Sequence, residues 1–188
     1  MRLPKIIAVE GFDGTGKTTI AQYLQSEYQY KYHKSPESAF AQARELFDQP
    51  NTDLQERFAF YVGDCIRLSM YLEQPTIQRI VLDRYYFSTI AYHESKLSGI
   101  SRSLLSTFYG LQQPDMVLLV KTDFDTLVTR IEERTQKSIN DILFLKEELY
   151  NRIYELYEKY IHVPCVIIDN NGLLDDTIAQ VQQAIQHA

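Results

Sequence analysis

The sequence predicts an α/β fold of three layers, α/β/α, with a central parallel sheet of about five strands and a lid segment. Three observations predict it. Short apolar runs of strand length alternate with longer helical patterns along the whole chain. These runs are apolar throughout, as strands read when helices cover both faces of a sheet. The first run ends at a glycine-rich turn that leads straight into a helix. The 188 residues, 45% hydrophobic and 23% charged, suit one soluble domain spanning 1–188, with no repeat, low-complexity tract or linker.

Along the chain, Lys5 to Glu10 (KIIAVE) is the first buried strand, ended by Gly11. A helix follows from Lys17 to about Tyr28, with Ile20, Tyr23 and Leu24 on one face. Tyr30 to His33 reads as a short strand, and Pro36 breaks the chain. Ser38 to Phe47 reads as helix, ending near Pro50. Asp53 to Leu72 is a longer helix rich in aromatic and apolar residues, closed by Pro75. Arg79 to Leu82 (RIVL) is a second clear strand, ending at Asp83. Ser88 to Lys96 continues as helix until Gly99, and Ser101 to Leu111 is helical until Pro114. Met116 to Val120 (MVLLV) is the third clear strand. Asp125 to Glu133 reads as helix, and Arg134 to Asp141 as polar loop inside a lid at about 134–144. Leu143 to Tyr160 is a long amphipathic helix, Val163 to Ile168 the last strand, and Thr177 to Gln186 the closing helix.

The net charge of −6 argues against a nucleic-acid polymer as partner, because such surfaces are normally basic. It leaves room for a phosphorylated small molecule held by a local basic cluster. Cys65 and Cys165 have neither CxxC nor zinc-ligand spacing and read as free thiols in a reduced compartment. The N-terminus, MRLPKIIAVEGF, lacks a signal-peptide pattern, and no apolar run nears the ~18 residues of a membrane span. The expectation is a cytoplasmic protein without a membrane partner.

Gly11-Phe12-Asp13-Gly14-Thr15-Gly16-Lys17-Thr18 matches GxxxxGK[ST] in full, in its required setting between a strand and a helix. Glycines at this spacing let backbone N–H groups turn inward around phosphate oxygens. The helix starting at Lys17 directs its N-terminal dipole at the same anion. Lys17 can reach the β and γ phosphates of a nucleoside triphosphate, and Thr18 can ligate Mg²⁺. Gly11, Asp13, Gly14, Thr15, Gly16, Lys17, Thr18 and Thr19 therefore form the expected donor site.

Asp83-Arg84-Tyr85 directly follows the strand RIVL. Ligands of open α/β sheets bind beyond the C-terminal strand ends, so this segment faces the same crevice as the phosphate loop. Asp83 can hold Mg²⁺ through water, and Arg84 can grip a phosphate bidentately. The structural alternative is a buried Asp–Arg pair at a strand end.

These two motifs carry a resemblance. Asp83-Arg84-Tyr85-Tyr86-Phe87-Ser88-Thr89-Ile90-Ala91-Tyr92 is similar to the DRYxxSxxAY pattern of thymidylate kinases, and Glu10 to Thr18 to their EGxDGxGKT pattern. Weaker similarity extends over Pro114-Asp115, Arg130 to Arg134, Leu149 to Arg152 and the final VIID. The resemblance implies a P-loop NTPase fold and transfer of the γ-phosphoryl group of ATP to a nucleoside monophosphate, most naturally dTMP. Such transfer depends on positioning and charge neutralisation. An ionised acceptor phosphate needs no dedicated base. By the resemblance Asp13 sits near the acceptor sugar and metal, Arg84 holds the acceptor phosphate, and Ser88 and Tyr92 line the sugar.

The chain departs from the family at four places. Lys34-Ser35-Pro36-Glu37-Ser38 replaces an Arg-Glu-Pro-Gly-Gly segment, so Lys34 supplies charge without the arginine fork. In the helix that reads the base, Cys65 follows Asp64 where the family has arginine; Arg67, one turn on, is the substitute, and Phe58, Phe60 and Tyr61 are the aromatic candidates. Among these the expected acceptor-site residues are Phe60, Tyr61, Asp64 and Arg67. Core packing is the competing fate of the aromatics. His93 stands where glutamine is usual, and it would contact a base edge or sit on the surface. Thr15 leaves the phosphate loop without arginine, so the lid should be basic; Arg134 is the candidate to neutralise the transferred phosphoryl, and Arg130 faces the adenine or packs on its helix. Lys137 is also available, whereas Ile142 follows Asp141 in place of an arginine.

A deoxynucleoside kinase or another small-molecule P-loop kinase is the alternative, and its hydroxyl acceptor would need a general base. Glu37 is the nearby candidate. A small GTPase is disfavoured because the chain has no NKxD motif. A non-catalytic relative is disfavoured by the intact Lys17, Thr18, Asp83 and Arg84. The long apolar helix at 53–72 is the candidate homodimer face.

Overall fold

A computed structural model describes residues 3–96, 102–134 and 145–187. Among them five strands form one parallel sheet: β1 (Ile6–Gly11), β2 (Lys31–Lys34), β3 (Ile80–Asp83), β4 (Met116–Lys121) and β5 (Cys165–Asp169), in the order β2-β3-β1-β4-β5. Eight helices are described: α1 (Lys17–Tyr28), α2 (Ala41–Phe47), α3 (Leu54–Leu72), α4 (Tyr86–Glu94), α5 (Arg102–Tyr109), α6 (Phe124–Glu132), α7 (Glu147–Tyr160) and α8 (Leu174–Gln186).

The period of two along the strands divides the core. Ile6, Ala8, Ile80, Leu82, Val117 and Leu119 face α3, α4, α6 and α7, where Leu68, Ile90, Leu127 and Ile153 meet them. Ile7, Val9, Val81, Leu118 and Val120 face α1 and α8, packing on Ile20, Leu24, Val181 and Ile185. Both faces are covered at the centre of the sheet, which is why β1, β3 and β4 read as nearly unbroken apolar runs, whereas the edge strand β2 does not. The three layers and the five parallel strands are those the sequence predicts.

Element boundaries moved where local chemistry overrode pattern. Residues 38–40 are a 3₁₀ turn, and only Ala41–Phe47 is α-helical. Asp53 lies outside α3 as its cap, its carboxylate accepting from the N–H groups of Gln55 and Glu56. Helix α4 begins at Tyr86, two residues before the expected Ser88, and ends at Glu94. The last strand begins at Cys165 because Pro164 has no N–H; its carbonyl accepts from Val117 N–H at 2.8 Å. Helix α7 begins at Glu147, with Lys146 extended ahead of it. Helix α8 begins three residues early, with Asp175 and Asp176 complementing its dipole in the first turn. The lid expected at 134–144 lies outside the described residues apart from Arg134, as do Lys137, Asp141 and Ile142.

The sheet order puts β1 and β3 side by side, with Val9 paired to Asp83. The loop after β1 and the turn after β3 therefore open on the same edge, and the crevice between them is the place for a ligand.

Candidate active site

The loop joining β1 to α1 is shaped by glycine. Gly11 has φ 144°, and a Cβ there would lie 2.3 Å from the Val120 carbonyl oxygen. Gly16, the residue before α1, has φ 93° and ψ 12°, and its missing Cβ leaves room for the Asn170 amide. Thr15 is fully buried, and its hydroxyl closes the loop onto the Phe12 carbonyl at 2.9 Å. Asn170, after β5, donates to the Thr15 carbonyl at 2.8 Å and accepts from the Thr177 hydroxyl at 2.7 Å. The loop is thus tied to α8. Asn170 did not stand out in the sequence, since an Asn after a strand is an ordinary turn residue.

Lys17 donates to the Phe12 carbonyl at 2.5 Å. Burial lowers its pKa to about 7, with Arg84 adding repulsion and Asp13, Asp83 and Glu10 pulling the other way. Thr18 donates to Asp83 at 2.6 Å, and Tyr32 donates to the same carboxylate oxygen at 3.1 Å. A hydroxyl and a carboxylate lie side by side here as hard oxygen ligands, a pair that suits Mg²⁺ completed by phosphates and water.

Arg84 has φ 76°, a left-handed conformation unusual for a side-chain-bearing residue. Its guanidinium reaches Asp13 at 2.6 Å, Ser88 at 2.8 Å and the Gly11 carbonyl at 3.1 Å, and lies over the Tyr92 ring at 5.1 Å. Tyr92 stacks on Phe12, and its hydroxyl accepts from Asp13 N–H at 3.1 Å. Burial works to raise the Asp13 carboxyl, but Arg84 and Lys17 outweigh it and hold it well below the usual carboxylate range.

A cavity of about 480 Å³ runs from the loop across this turn. It is lined by the expected Asp13, Gly14, Gly16, Lys17, Thr18, Thr19, Lys34, Tyr61, Asp83, Arg84, Ser88, Tyr92 and Arg134. A second cavity of about 310 Å³ lies behind the loop, with Arg130, Asn170 and Thr177 in its wall. Gly11 and Thr15 do not line the first cavity; they shape the loop from behind.

The structure does not bring Phe60, Asp64 or Arg67 to the cavity. Phe60 stacks on Phe47 at 4.9 Å. Asp64 is buried, accepting from the Ser35 hydroxyl at 2.5 Å and from Arg67 at 3.3 Å. Arg67 pairs with Glu37 at 3.1 Å and lies over Phe40. Together they fasten the segment after β2 onto α3, an attachment invisible without tertiary contacts. Phe58 is core, packed on Phe108 and His93. His93 is 6% exposed rather than a surface residue; its ring lies against Phe58 and Tyr61, with Nδ1 at 2.7 Å from the Thr89 carbonyl.

Four polar lining residues escaped the sequence reading: Arg44, Asp48, Arg57 and Lys96. Asp48 collects Arg44 at 3.1 Å and the Tyr61 hydroxyl at 3.0 Å. They are scattered over three segments of the chain, and isolated charges of this kind read as solvated surface.

A parallel sheet with this crevice, a phosphate loop and an Asp-Arg turn defines a P-loop kinase of small molecules. Comparison with known proteins narrows the class. A family model described as thymidylate kinase matches residues 9–185. A probable thymidylate kinase of Archaeoglobus fulgidus is 25% identical, over 96% of this chain and 94% of its own. The solved thymidylate kinase of Candida albicans superposes with TM-score 0.75 at 18% identity, covering 98% of this chain and 92% of its own. A deoxyadenosine kinase from M. mycoides shares the fold with TM-score 0.70 at 17% identity, covering 97% of this chain and all (100%) of its own. The chain belongs to the thymidylate kinase family and is a nucleoside monophosphate kinase.

Proposed function

We propose that the protein transfers the γ-phosphoryl group of ATP, in the presence of Mg²⁺, to the phosphate of a nucleoside monophosphate, dTMP above all. The observation that carries the choice of a phosphate over a hydroxyl acceptor is the segment after β2. Ser35 and Pro36 line the cavity there, while the candidate base Glu37 is drawn away by Arg67. Asp13, held well below the usual carboxylate range, is a poor base. The cations Lys34, Arg44, Arg84 and Lys96 around the same cavity suit an acceptor that brings its own negative charge. Family membership directs the base to thymine, with Tyr61 as the aromatic residue that faces it.

In this reading Gly14, Gly16, Lys17, Thr18 and Thr19 hold the donor phosphates, and Arg130 borders the donor base. Thr18 and Asp83 hold Mg²⁺, which when bound neutralises the charge between donor phosphates. Arg84 and Lys34 grip the acceptor phosphate, and Asp13, Ser88 and Tyr92 position the acceptor around Arg84. Arg134, on the cavity wall, neutralises the moving group. Arg44 adds a further guanidinium to the cavity wall. Among the described residues no helix is long and apolar enough to cross a membrane. The stripe Ala59, Gly63, Ile66 and Met70 lies exposed along α3 and supports a homodimer.

The test is an assay with ATP, Mg²⁺ and a panel of nucleosides and nucleoside monophosphates. Turnover of monophosphates, dTMP fastest, is expected, and Lys17→Met should lower kcat by roughly 10²–10³-fold. Turnover of nucleosides alone would overturn the reading.

A further inference from the structure

Glu10 is the last side chain of β1 before the phosphate loop, and it is 0% exposed. No arginine or lysine pairs with it among the described residues. A carboxylate buried in this way is costly, and burial pushes its pKa up to about 7 although Ser88, Arg84 and the Tyr85 N–H pull it down. An apolar residue would fill the position more cheaply. The oxygens of Glu10 show what it holds. Oε1 accepts from the backbone N–H of Tyr85 at 2.9 Å. Oε2 accepts from the hydroxyl of Ser88.

Both contacts bear on Arg84. The Tyr85 N–H belongs to the peptide bond that follows Arg84, whose φ of 76° is strained for a residue with a Cβ. Such a conformation persists only where its surroundings over-determine it. Here Arg84 N–H is fixed to the Val9 carbonyl at 3.1 Å on one side, and Glu10 takes the next N–H on the other. At the far end of the side chain, Nη1 of Arg84 donates to Ser88 Oγ at 2.8 Å. Ser88 can accept there because its own proton goes to Glu10. Tyr157, fully buried, lies 2.9 Å from the same Oγ and donates to the Gly11 carbonyl at 3.2 Å. One carboxylate therefore sets both the backbone turn and the height of the guanidinium.

We propose that Glu10 is the positioning residue of Arg84, acting through Tyr85 N–H on its backbone and through Ser88 on its guanidinium. The proposal rests on the reading of Arg84 as the grip on the acceptor phosphate. It gives Ser88 the role of a relay between Glu10 and Arg84.

The variants Glu10→Gln, Ser88→Ala, their double variant and Arg84→Ala test it. Steady-state kinetics are run at pH 8, above the raised pKa of Glu10, with the monophosphate that wild type phosphorylates fastest. Glutamine keeps an acceptor for Tyr85 N–H but turns its amide toward Ser88, which can then no longer pass its proton that way. The expected result is an acceptor KM raised about tenfold in Glu10→Gln and in Ser88→Ala. The ATP KM and the melting temperature should stay near wild type, and the double variant should be no worse than either single one. A global structural role would instead shift both KM values and the melting temperature. Wild-type acceptor kinetics in Glu10→Gln, or additive effects in the double variant, overturn the proposal. If Arg84→Ala itself binds the acceptor normally, the reading of Arg84 falls first; if only Arg84→Ala is impaired, the proposal alone falls.

Discussion

Replacing Gly16 by alanine tests how the phosphate loop is held. Two separate costs are expected. The first is conformational: φ 93° is a left-handed conformation that costs an L-residue roughly 1–2 kcal/mol. The second is steric: the new Cβ would lie 2.4 Å from Nδ2 of Asn170. That amide must move, and moving it breaks its bonds to the Thr15 carbonyl and the Thr177 hydroxyl. Two buried hydrogen bonds are worth about 2 kcal/mol together. Gly16→Ala should therefore lose about 3–4 kcal/mol in urea denaturation. Asn170→Ala breaks the same two bonds without the strain, and should lose about 2 kcal/mol. In the double variant the bonds can be lost only once, so a coupling energy of about 2 kcal/mol is expected. Additivity within about 0.5 kcal/mol would refute the claim that Asn170 is what Gly16 makes room for.

Other outcomes follow from the same geometry. Burial lowers the pKa of His93 to about 4, so the unfolded chain binds a proton that the folded chain refuses between about pH 6.5 and 4. Its contribution is present above pH 6.5 and lost as pH falls, by about 3 kcal/mol in all. Glu10, pushed up to about 7, has the opposite slope, so the quantity to measure is the difference between wild type and His93→Gln. That difference should shrink toward pH 4 in chemical denaturation, and a constant difference would contradict the buried neutral imidazole. Arg44→Ala should raise the monophosphate KM about tenfold and leave the ATP KM alone; equal effects on both would remove Arg44 from the acceptor end. Ile66→Arg with Met70→Arg, placed on a stripe where Met70 is 67% exposed, should convert a dimer to monomers in sedimentation. A wild type that sediments as a monomer would end that reading.

The layers, the parallel sheet and the phosphate-loop side of the cavity were legible in the sequence alone. Those depend on local signals: apolar runs, a glycine spacing that only a phosphate turn requires, and a carboxylate at a strand end. Lys17, Thr18, Asp83 and Arg84 were legible because each is fixed within a few residues of the strand or helix that presents it. The opposite wall of the cavity was set by tertiary packing. Phe60, Tyr61, Asp64 and Arg67 share one helix, and their order in the chain does not say which face meets the cavity. Packing against α4 and the segment after β2 turned Tyr61 inward and spent Asp64 and Arg67 on Ser35 and Glu37. Arg44, on α2, and Lys96, just beyond α4, reached the cavity from distant parts of the chain. Glu10, which reads as one more residue of a buried strand, gained its meaning only when β3 came alongside and set Tyr85 and Ser88 against it. A motif is local because one turn of backbone makes it; a pocket wall is gathered from distant elements, and only the packed fold decides which side chains meet there.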